Sequence, residues 1–365
     1  MKGSIQKKGK IYYAILALNG KRRWFRGGLA KKDAQRIINE KLGELQAKTY
    51  KELPKITFEQ FTEIWFRDYA EVSLKPSTQN LFKDTLERLL LPTFSNTQMS
   101  DITTGHLQAY VSARAKIIKP NTIRNEVAVI KLIFKHATRW GYIKHNPTLN
   151  IERPKIEKPE IQILSPEEFE TFLEKTEKPY RTAFLTAFLT GLRAGELWGL
   201  QWGDIDWNSK QIHVRRSLWK HQLQKPKTRN ATRKIDMTER LVRELKVWKL
   251  ACPVSEYDLV FPSQEGYPTI HANVSMRFFH PALRRAGLRQ VSFHSLRHSN
   301  ASFRIHAGQN IKYIQGQLGH ASITMTMDVY GHLFNDLDFN RKQVELLESV
   351  RKPLETPAEI QYATS

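Results

Sequence analysis

The chain has 365 residues, enough for two or three domains with cores of their own. Its 58 Lys and Arg against 36 Asp and Glu leave a formal charge of +22, which predicts a polyanionic partner held in a salt-sensitive way. Membrane surfaces and acidic proteins are the weaker alternatives. No apolar run reaches the ~18 residues of a membrane span, and the basic start MKGSIQKKGK lacks the apolar segment of a signal peptide. The single cysteine, Cys252, excludes an internal disulfide framework and fits a reducing compartment, the bacterial cytoplasm and its nucleoid being the natural one.

Residues 1–32 carry ten Lys or Arg, and no acid precedes Asp33. Ile11 to Leu18 reads as a strand, Asn19-Gly20 as a type I′ turn and Lys21 to Arg26 as the returning strand, with Gly27-Gly28 breaking the sheet. Ala34, Ile37, Ile38, Leu42 and Leu45 then recur at helical spacing. The expected product is a small basic sheet-plus-helix module over residues 1–50. Lys21, Arg22, Arg23 and Arg26 make its second strand a candidate DNA-binding face, a merely solvated strand being the alternative.

A polar stretch with Pro54 leads into residues 56–150. There Thr57-x-x-Gln60 is a capping box, opening a helix with Phe58, Phe61, Trp65 and Phe66. A second helix follows Lys75-Pro76-Ser77 and ends near Pro92, and a third starts around Thr103. The fourth runs from Asn121 as N-cap to Gly141, burying Ile123, Val127, Ile130, Phe134 and Ala137. Four such helices predict a compact bundle. Prolines 154, 159 and 166 then mark an extended linker. Ser165 as N-cap, Pro166 at N1 and Glu168 at N3 open a further domain, expected over 160–350 and followed by a loose tail at 351–365.

Within that domain an apolar helix, Ala183 to Leu192, delivers Arg193 between Gly191 and Gly195, small residues that let a backbone approach a bulky ligand. Glu196, one helical turn on, can orient the guanidinium. Residues 211–218, a loop at 225–232 and residues 233–237 read as a β-hairpin whose loop carries Lys225, Lys227, Arg229, Arg233 and Lys234. Asp204 and Asp206 raise the alternative of a metal-dependent nuclease, but no third carboxylate stands near them, and no P-loop occurs. Cys252 reads as packing.

The stretch from Phe293 to Gly331 gathers His294, Arg297, His320 and Tyr330, with Asp328 its only carboxylate. Histidines and an arginine can grip a phosphate, and a tyrosine delivered into that grip can attack phosphorus through its phenolic oxygen. His298 and His306 compete with His294 for the active role. Tyr313 competes with Tyr330, but it lies on the apolar repeat Ile311, Ile314, Leu318 and reads as core. His320, after Gly319, is expected at a helix start.

HSLRHS at 294–299, LGH at 318–320 and Tyr330 in MDVYGH resemble the C-terminal boxes of the tyrosine recombinases, the phage integrase family. TGLRAGELWGLQWGDID, 190–206, is similar to that family's first-arginine box, with Arg193 in the matching place. The pieces stand in the family's order, and four in order are far more specific than any one alone.

The resemblance implies an α+β, mostly α chain. Its parts would be the sheet-plus-helix module binding arm-type DNA sites, a four-helix core-binding bundle, and a mixed α/β catalytic domain. Arg193, Lys227, His294, Arg297, His320 and Tyr330 would be catalytic, with Glu196 in support and Lys225 the alternative lysine. Lys75, Lys119, Asn121, Thr122, Arg124 and Arg139 would meet core-site phosphates, and Lys225 and Arg229 would approach DNA from the hairpin loop.

No cofactor or metal is implied. The implied partners are double-stranded attachment-site DNA and three further copies of the chain in a tetramer on synapsed DNA, with an excisionase and a host DNA-bending protein possible in addition. The helical segment Leu333 to Val350 would dock on a neighbouring protomer, or fold back on its own domain. A type IB topoisomerase and a catalytically silent DNA-binding protein remain as alternatives.

Overall fold

The computed structural model describes residues 3–18, 21–46, 53–156, 161–224, 232–320, 322–324, 327, 341 and 344–345. The chain divides into two compact units, Met1–Glu157 and Lys158–Ser365.

In the first unit, β1 (Ser4–Lys8), β2 (Ile11–Leu18) and β3 (Lys21–Gly28) form an antiparallel sheet in that order, and α1 (Lys31–Gln46) packs across it. Ala34 and Ile38 of α1 meet Ala14 and Leu16 in a small apolar cluster. β1 has no apolar alternation beyond Ile5, so pattern reading misses it; it is held by its ladder with β2. Gly27 and Gly28 do not break the sheet. They end β3, where a Cβ on Gly27 would stand 2.7 Å from Ala34 Cα, so glycine lets α1 close directly onto the strand. The Asn19-Gly20 turn lies outside the described residues.

The helical part of this unit keeps its own core, with Phe58, Phe61, Trp65 and Phe134 fully buried. Its elements are α2 (Phe58–Trp65), a π-helical turn at Phe66–Ala70, α3 (Glu71–Ser73), α4 (Pro76–Thr85), a second π turn at Leu86–Leu90, α5 (Leu91–Phe94), α6 (Thr104–Ala115) and α7 (Pro120–Arg139). The Thr57 capping box is formed: Gln60 N–H donates to Thr57 Oγ1 at 3.3 Å, and Thr57 N–H to Gln60 Oε1 at 3.0 Å.

The second helical rod ends near Pro92 as expected, at Phe94, with the proline inside its last turn. The Leu91 N–H reaches five residues back to Leu86 O, and this widened turn admits a proline that a regular helix would reject. The fourth helix starts from Lys119 as N-cap with Pro120 at N1, not from Asn121, because the fixed φ of proline already suits a first helical residue. It ends before Gly141, which has φ +81° as expected.

A polar knot pins this bundle. Glu126, 4% exposed, accepts from Tyr110 Oη at 2.9 Å and from Arg114 Nε and Nη2 at 3.0 and 2.6 Å. Glu126→Ala is expected to cost about 3–5 kcal/mol, because it strands a buried phenol and a partly buried cation. The check is the urea midpoint of the full chain; a loss below ~1 kcal/mol would show the knot to be dispensable.

The second unit opens with α8 (Pro166–Glu174), capped by Ser165 as expected, then α9 (Lys178–Thr190) and α10 (Ala194–Trp198). Next come β4 (Ile205–Asp206), β5 (Gln211–Val214), β6 (Ser217–Trp219), β7 (Gln222–Gln224) and β8 (Arg233–Asp236). The unit continues with α11 (Glu239–Ala251), α12 (His271–Val274), a π turn at Ser275–Phe279, α13 (His280–Arg285), α14 (Ser295–His306) and α15 (Ile311–Leu318). Its core is aromatic-rich, with Phe169 stacked on Phe188 and Phe279 edge-on to Phe172 and Phe184.

The expected strand 211–218 is interrupted. β5 pairs with β8, Val214 opposite Arg233, while β6 and β7 form a separate hairpin between them. That hairpin turns at Lys220 and His221, both at positive φ (42° and 64°), a primed turn made without the Asn-Gly pair that would announce it.

Candidate active site

Four helix ends of the second unit build the site. α9 and α15 each stop at a left-handed glycine, Gly191 and Gly319, both at φ +66°. A Cβ at Gly191 would lie 2.7 Å from Leu318 Cδ2, so the two helix ends touch. α10 starts from Arg193, and α14 starts from His294.

Arg297, 2% exposed, lies between the two C-termini. Its Nη1 donates to Gly191 O at 2.6 Å and its Nη2 to Leu318 O at 2.7 Å. Carbonyls at a helix C-terminus lack intrahelical donors and carry the negative end of the dipole, which is how a buried cation is held there. Asn300, one turn further along α14, donates to Phe188 O and Leu189 O at 2.8 and 2.9 Å, satisfying two more carbonyls of that end. Sequence reading found Arg297 and missed Asn300, whose only signal was its i+3 spacing from Arg297.

Arg193 leads into α10. Its backbone N–H donates to Glu196 Oε2 at 3.0 Å, its Nη1 to Glu196 Oε1 at 2.9 Å, and its Nη2 to Gly319 O at 3.4 Å. The supporting acid expected at Glu196 is therefore in contact with it. Behind Glu196 stands Arg233, 6% exposed on its side chain, giving Nη2 to Oε2 at 2.9 Å and Nη1 to Oε1 at 3.2 Å. Arg233 was expected in a basic loop. It is the first residue of β8, where the returning strand was read, but it faces inward, which nothing in a run of basic residues reveals. Burial, the largest influence on Glu196, would raise its pKa; Arg233 and Arg193 together outweigh it, and the carboxyl stays below its usual range.

His320 follows Gly319 at the end of α15, not at a helix start as the sequence suggested, because the left-handed glycine terminates the helix. The imidazole is buried, and burial first, then Arg297, Arg193, Arg233 and His294, push its pKa down to about 3. His294 has an edge open to solvent and is lowered in the same direction, by burial, His298, Arg297 and Arg193. His298 meets the His294 ring edge-on at 4.7 Å, so the competing histidine is a neighbour in the same cluster, whereas His306 is exposed at the far end of α14.

Two guanidiniums, Arg193 and Arg233, thus hold one carboxylate, and a third, Arg297, stands close by with two neutral imidazoles. Such a cluster carries about two uncompensated positive charges and can receive a phosphodiester whose charge grows during reaction.

Tyr330, Lys225, Lys227 and Arg229 lie outside the described residues, as does most of Leu333 to Val350. Tyr313 is not core, since it is 40% exposed. Its hydroxyl donates to Asp236 Oδ2 at 2.7 Å, and Arg304 lies over its ring. Asp204 is buried against Arg216 and caps Gln201, while Asp206 holds the turn at Asn208 and Ser209, so each serves the fold. Among the described residues no group of three or more His, Cys, Asp or Glu is placed to hold a metal ion. Cys252 is half-buried, and burial raises its pKa.

In the first unit, register sets Arg22, Trp24 and Arg26 opposite Ala17, Ile15 and Tyr13, on the sheet face away from α1. Lys21 and Arg23, opposite Leu18 and Leu16, alternate to the other face and are exposed at its margin. Lys119, Asn121, Thr122 and Arg124 are exposed around the first turn of α7, Arg139 is exposed at its end, and Lys75 is the half-buried N-cap of α4.

The family model described as Phage integrase family matches residues 162–336, and that of the phage integrase N-terminal SAM-like domain matches residues 57–113. The ICEBs1 integrase of Bacillus subtilis is 26% identical over 228 residues, 58% of this chain and 62% of the relative. The chain thus spans less than two thirds of that relative. A tyrosine recombinase XerC-like protein of Caldanaerobacter subterraneus is 27% identical over 370 aligned residues, 90% of this chain and 94% of the relative. The Tn1549 transposon integrase, solved in complex with a circular intermediate DNA, shares the fold at a TM-score of 0.69 and 22% identity, covering 80% of this chain and 99% of that one. The chain belongs to the phage integrase family of tyrosine recombinases.

Proposed function

We propose that the chain is a site-specific DNA recombinase that integrates and excises a mobile element, cutting each strand through a 3′-phosphotyrosine link. The observation that carries this reading is the convergence of Arg193, Arg297, His294 and His320 on one cluster with excess positive charge. Tyr330 Oη attacks the scissile phosphorus, giving a phosphotyrosyl enzyme and a free 5′ hydroxyl. Arg193, Arg297 and His320 hold the phosphorane oxygens, His294 assists proton transfer, and Lys227, or Lys225 in its place, protonates the leaving 5′ oxygen. The 5′ hydroxyl of a partner duplex then attacks the phosphotyrosine, and the tyrosine leaves. Phosphodiester energy is stored in the covalent link, so the exchange needs no nucleotide cofactor.

Two duplexes present four strands to be exchanged, which calls for four nucleophiles and hence a tetramer. The exposed basic positions of α7 and the Lys75 N-cap suit the phosphates of the core site. The face carrying Arg22, Trp24 and Arg26 suits arm-type DNA, in a module distinct from the bundle because it keeps its own apolar cluster. An excisionase and a host bending protein would set direction. Helix docking from Leu333 to Val350 onto a neighbour would couple the active sites.

The test is a duplex from the DNA flanking the gene, nicked just beyond the cleavage point so that the released fragment diffuses away. Denaturing gels should show a protein–DNA adduct that forms in the presence of a chelator and transfers to an added strand. An adduct without transfer to a second duplex would favour a topoisomerase, and binding with no adduct would reduce the chain to a DNA-binding protein.

A further inference from the structure

We infer that Arg233 is a positioning residue for strand cleavage: it fixes Glu196, and through it the Arg193 guanidinium, against the turn that carries His320. The inference rests on the recombinase reading above and adds a residue to its site. A closed ring of contacts supports it. Arg233 grips both oxygens of Glu196 at 2.9 and 3.2 Å, and its Nε donates to Gln317 O at 2.7 Å. Glu196 holds both the backbone and the guanidinium of Arg193. Arg193 reaches Gly319 O at 3.4 Å, next to His320, and so returns to the turn that Arg233 already touches.

The turn is shaped around the Arg233 stem: a Cβ on Gly319 would lie 2.8 Å from Arg233 Cδ and 3.0 Å from its Nε. Gln317 closes the ring on β8, taking the Asp236 N–H at 3.0 Å and giving its amide to Asp236 Oδ2 at 3.0 Å. One side chain thus registers β8, α10 and the end of α15 at once. An error of about 1 Å in a group that stabilises charge costs on the order of 10²-fold in rate.

Arg233 also decides the charge of Glu196. Around that carboxyl stand Arg193, Arg233 and His294, with His320 and Arg297 behind them. Burial alone would push it up. With Arg233 gone, only Arg193 opposes burial directly, so protonation, and release of Arg193, moves toward neutral pH.

The experiment measures single-turnover adduct formation on the nicked duplex against pH, for the full chain and for Arg233→Met, Arg233→Lys, Glu196→Gln and the Arg233→Met/Glu196→Gln double variant. Arg233→Met should bind the duplex within about threefold of the unaltered protein and cleave about 10²-fold more slowly, with an added loss of rate as pH falls from 8 to 5. Arg233→Lys should recover part of the rate. The double variant should be no slower than the worse single one, since both act through the same contact.

A wild-type rate and pH profile in Arg233→Met would overturn the inference. So would a slow rate with no added pH dependence, or with losses that add to those of Glu196→Gln; either marks a merely structural arginine. If Arg233→Met does not fold, the additivity criterion alone applies to Arg233→Lys, which keeps the charge: losses that add to those of Glu196→Gln would overturn the inference. Absence of any adduct with the unaltered protein would instead count against the recombinase reading itself.

Discussion

Tyr330→Phe should bind the attachment-site duplex within about threefold of the unaltered protein and form no covalent adduct, a loss of at least ~10⁴-fold. A free phenol has a pKa near ~10, so ionising it at neutral pH costs roughly 4 kcal/mol. In the proposed mechanism the described cluster supplies the compensation. Arg193, Arg233 and Arg297 stand against the single carboxylate of Glu196, and His294 and His320 add donors without adding negative charge. Among the described residues of that cluster there is no hydroxyl or thiol: it offers guanidiniums, two imidazoles and one carboxylate, the last already bonded to two arginines. Tyr313 is the informative control. Its hydroxyl is committed to Asp236 at 2.7 Å, which together with burial raises its pKa, so Tyr313→Phe should leave adduct formation intact. An adduct formed by Tyr330→Phe and lost in Tyr313→Phe would reverse the assignment. Denaturing electrophoresis of labelled duplex distinguishes the two outcomes in one gel.

The sequence exposed the parts of this molecule whose signals are local. The capping boxes at Thr57 and Ser165, the left-handed Gly141 and the amphipathic stripe of α7 are each set by neighbouring residues, and each stands where the pattern placed it. The box residues Arg193, Glu196, His294, Arg297 and His320 were also legible, and the fold brings them together. What the sequence hid depends on partners far along the chain. Arg233 reads as one cation in a basic run, yet it is buried because Glu196 and Gln317, 37 and 84 positions away, wait for it. Asn300 looks like any helical asparagine until the open end of α9 is placed beside it. Tyr313 lies on an apolar repeat but turns its hydroxyl to Asp236, because β8 offers an acceptor that periodicity cannot anticipate. The π turn before Pro92 was hidden for another reason: it lets the rod carry the proline inside its last turn, and no pattern in the neighbouring residues announces it.

Arg297→Lys should lower the rate of adduct formation by about 10²–10³-fold while leaving DNA affinity nearly unchanged. The substitution preserves charge, so any model in which this position merely attracts DNA predicts little effect. Geometry argues otherwise. One planar guanidinium spans the carbonyl ends of α9 and α15, at 2.6 Å from Gly191 O and 2.7 Å from Leu318 O. An ammonium places its three donors on a single atom and cannot span both helix ends while keeping a fixed direction toward a phosphate oxygen. The same loss has a structural consequence, because a buried carbonyl left without a donor costs about 1–3 kcal/mol. Thermal unfolding of the variant should therefore shift downward by a few degrees, in step with one orphaned carbonyl. Both effects are needed for the assignment. A lysine variant that melts earlier yet cleaves within about threefold of the unaltered protein would make Arg297 a clamp for two helix ends with no part in the chemistry.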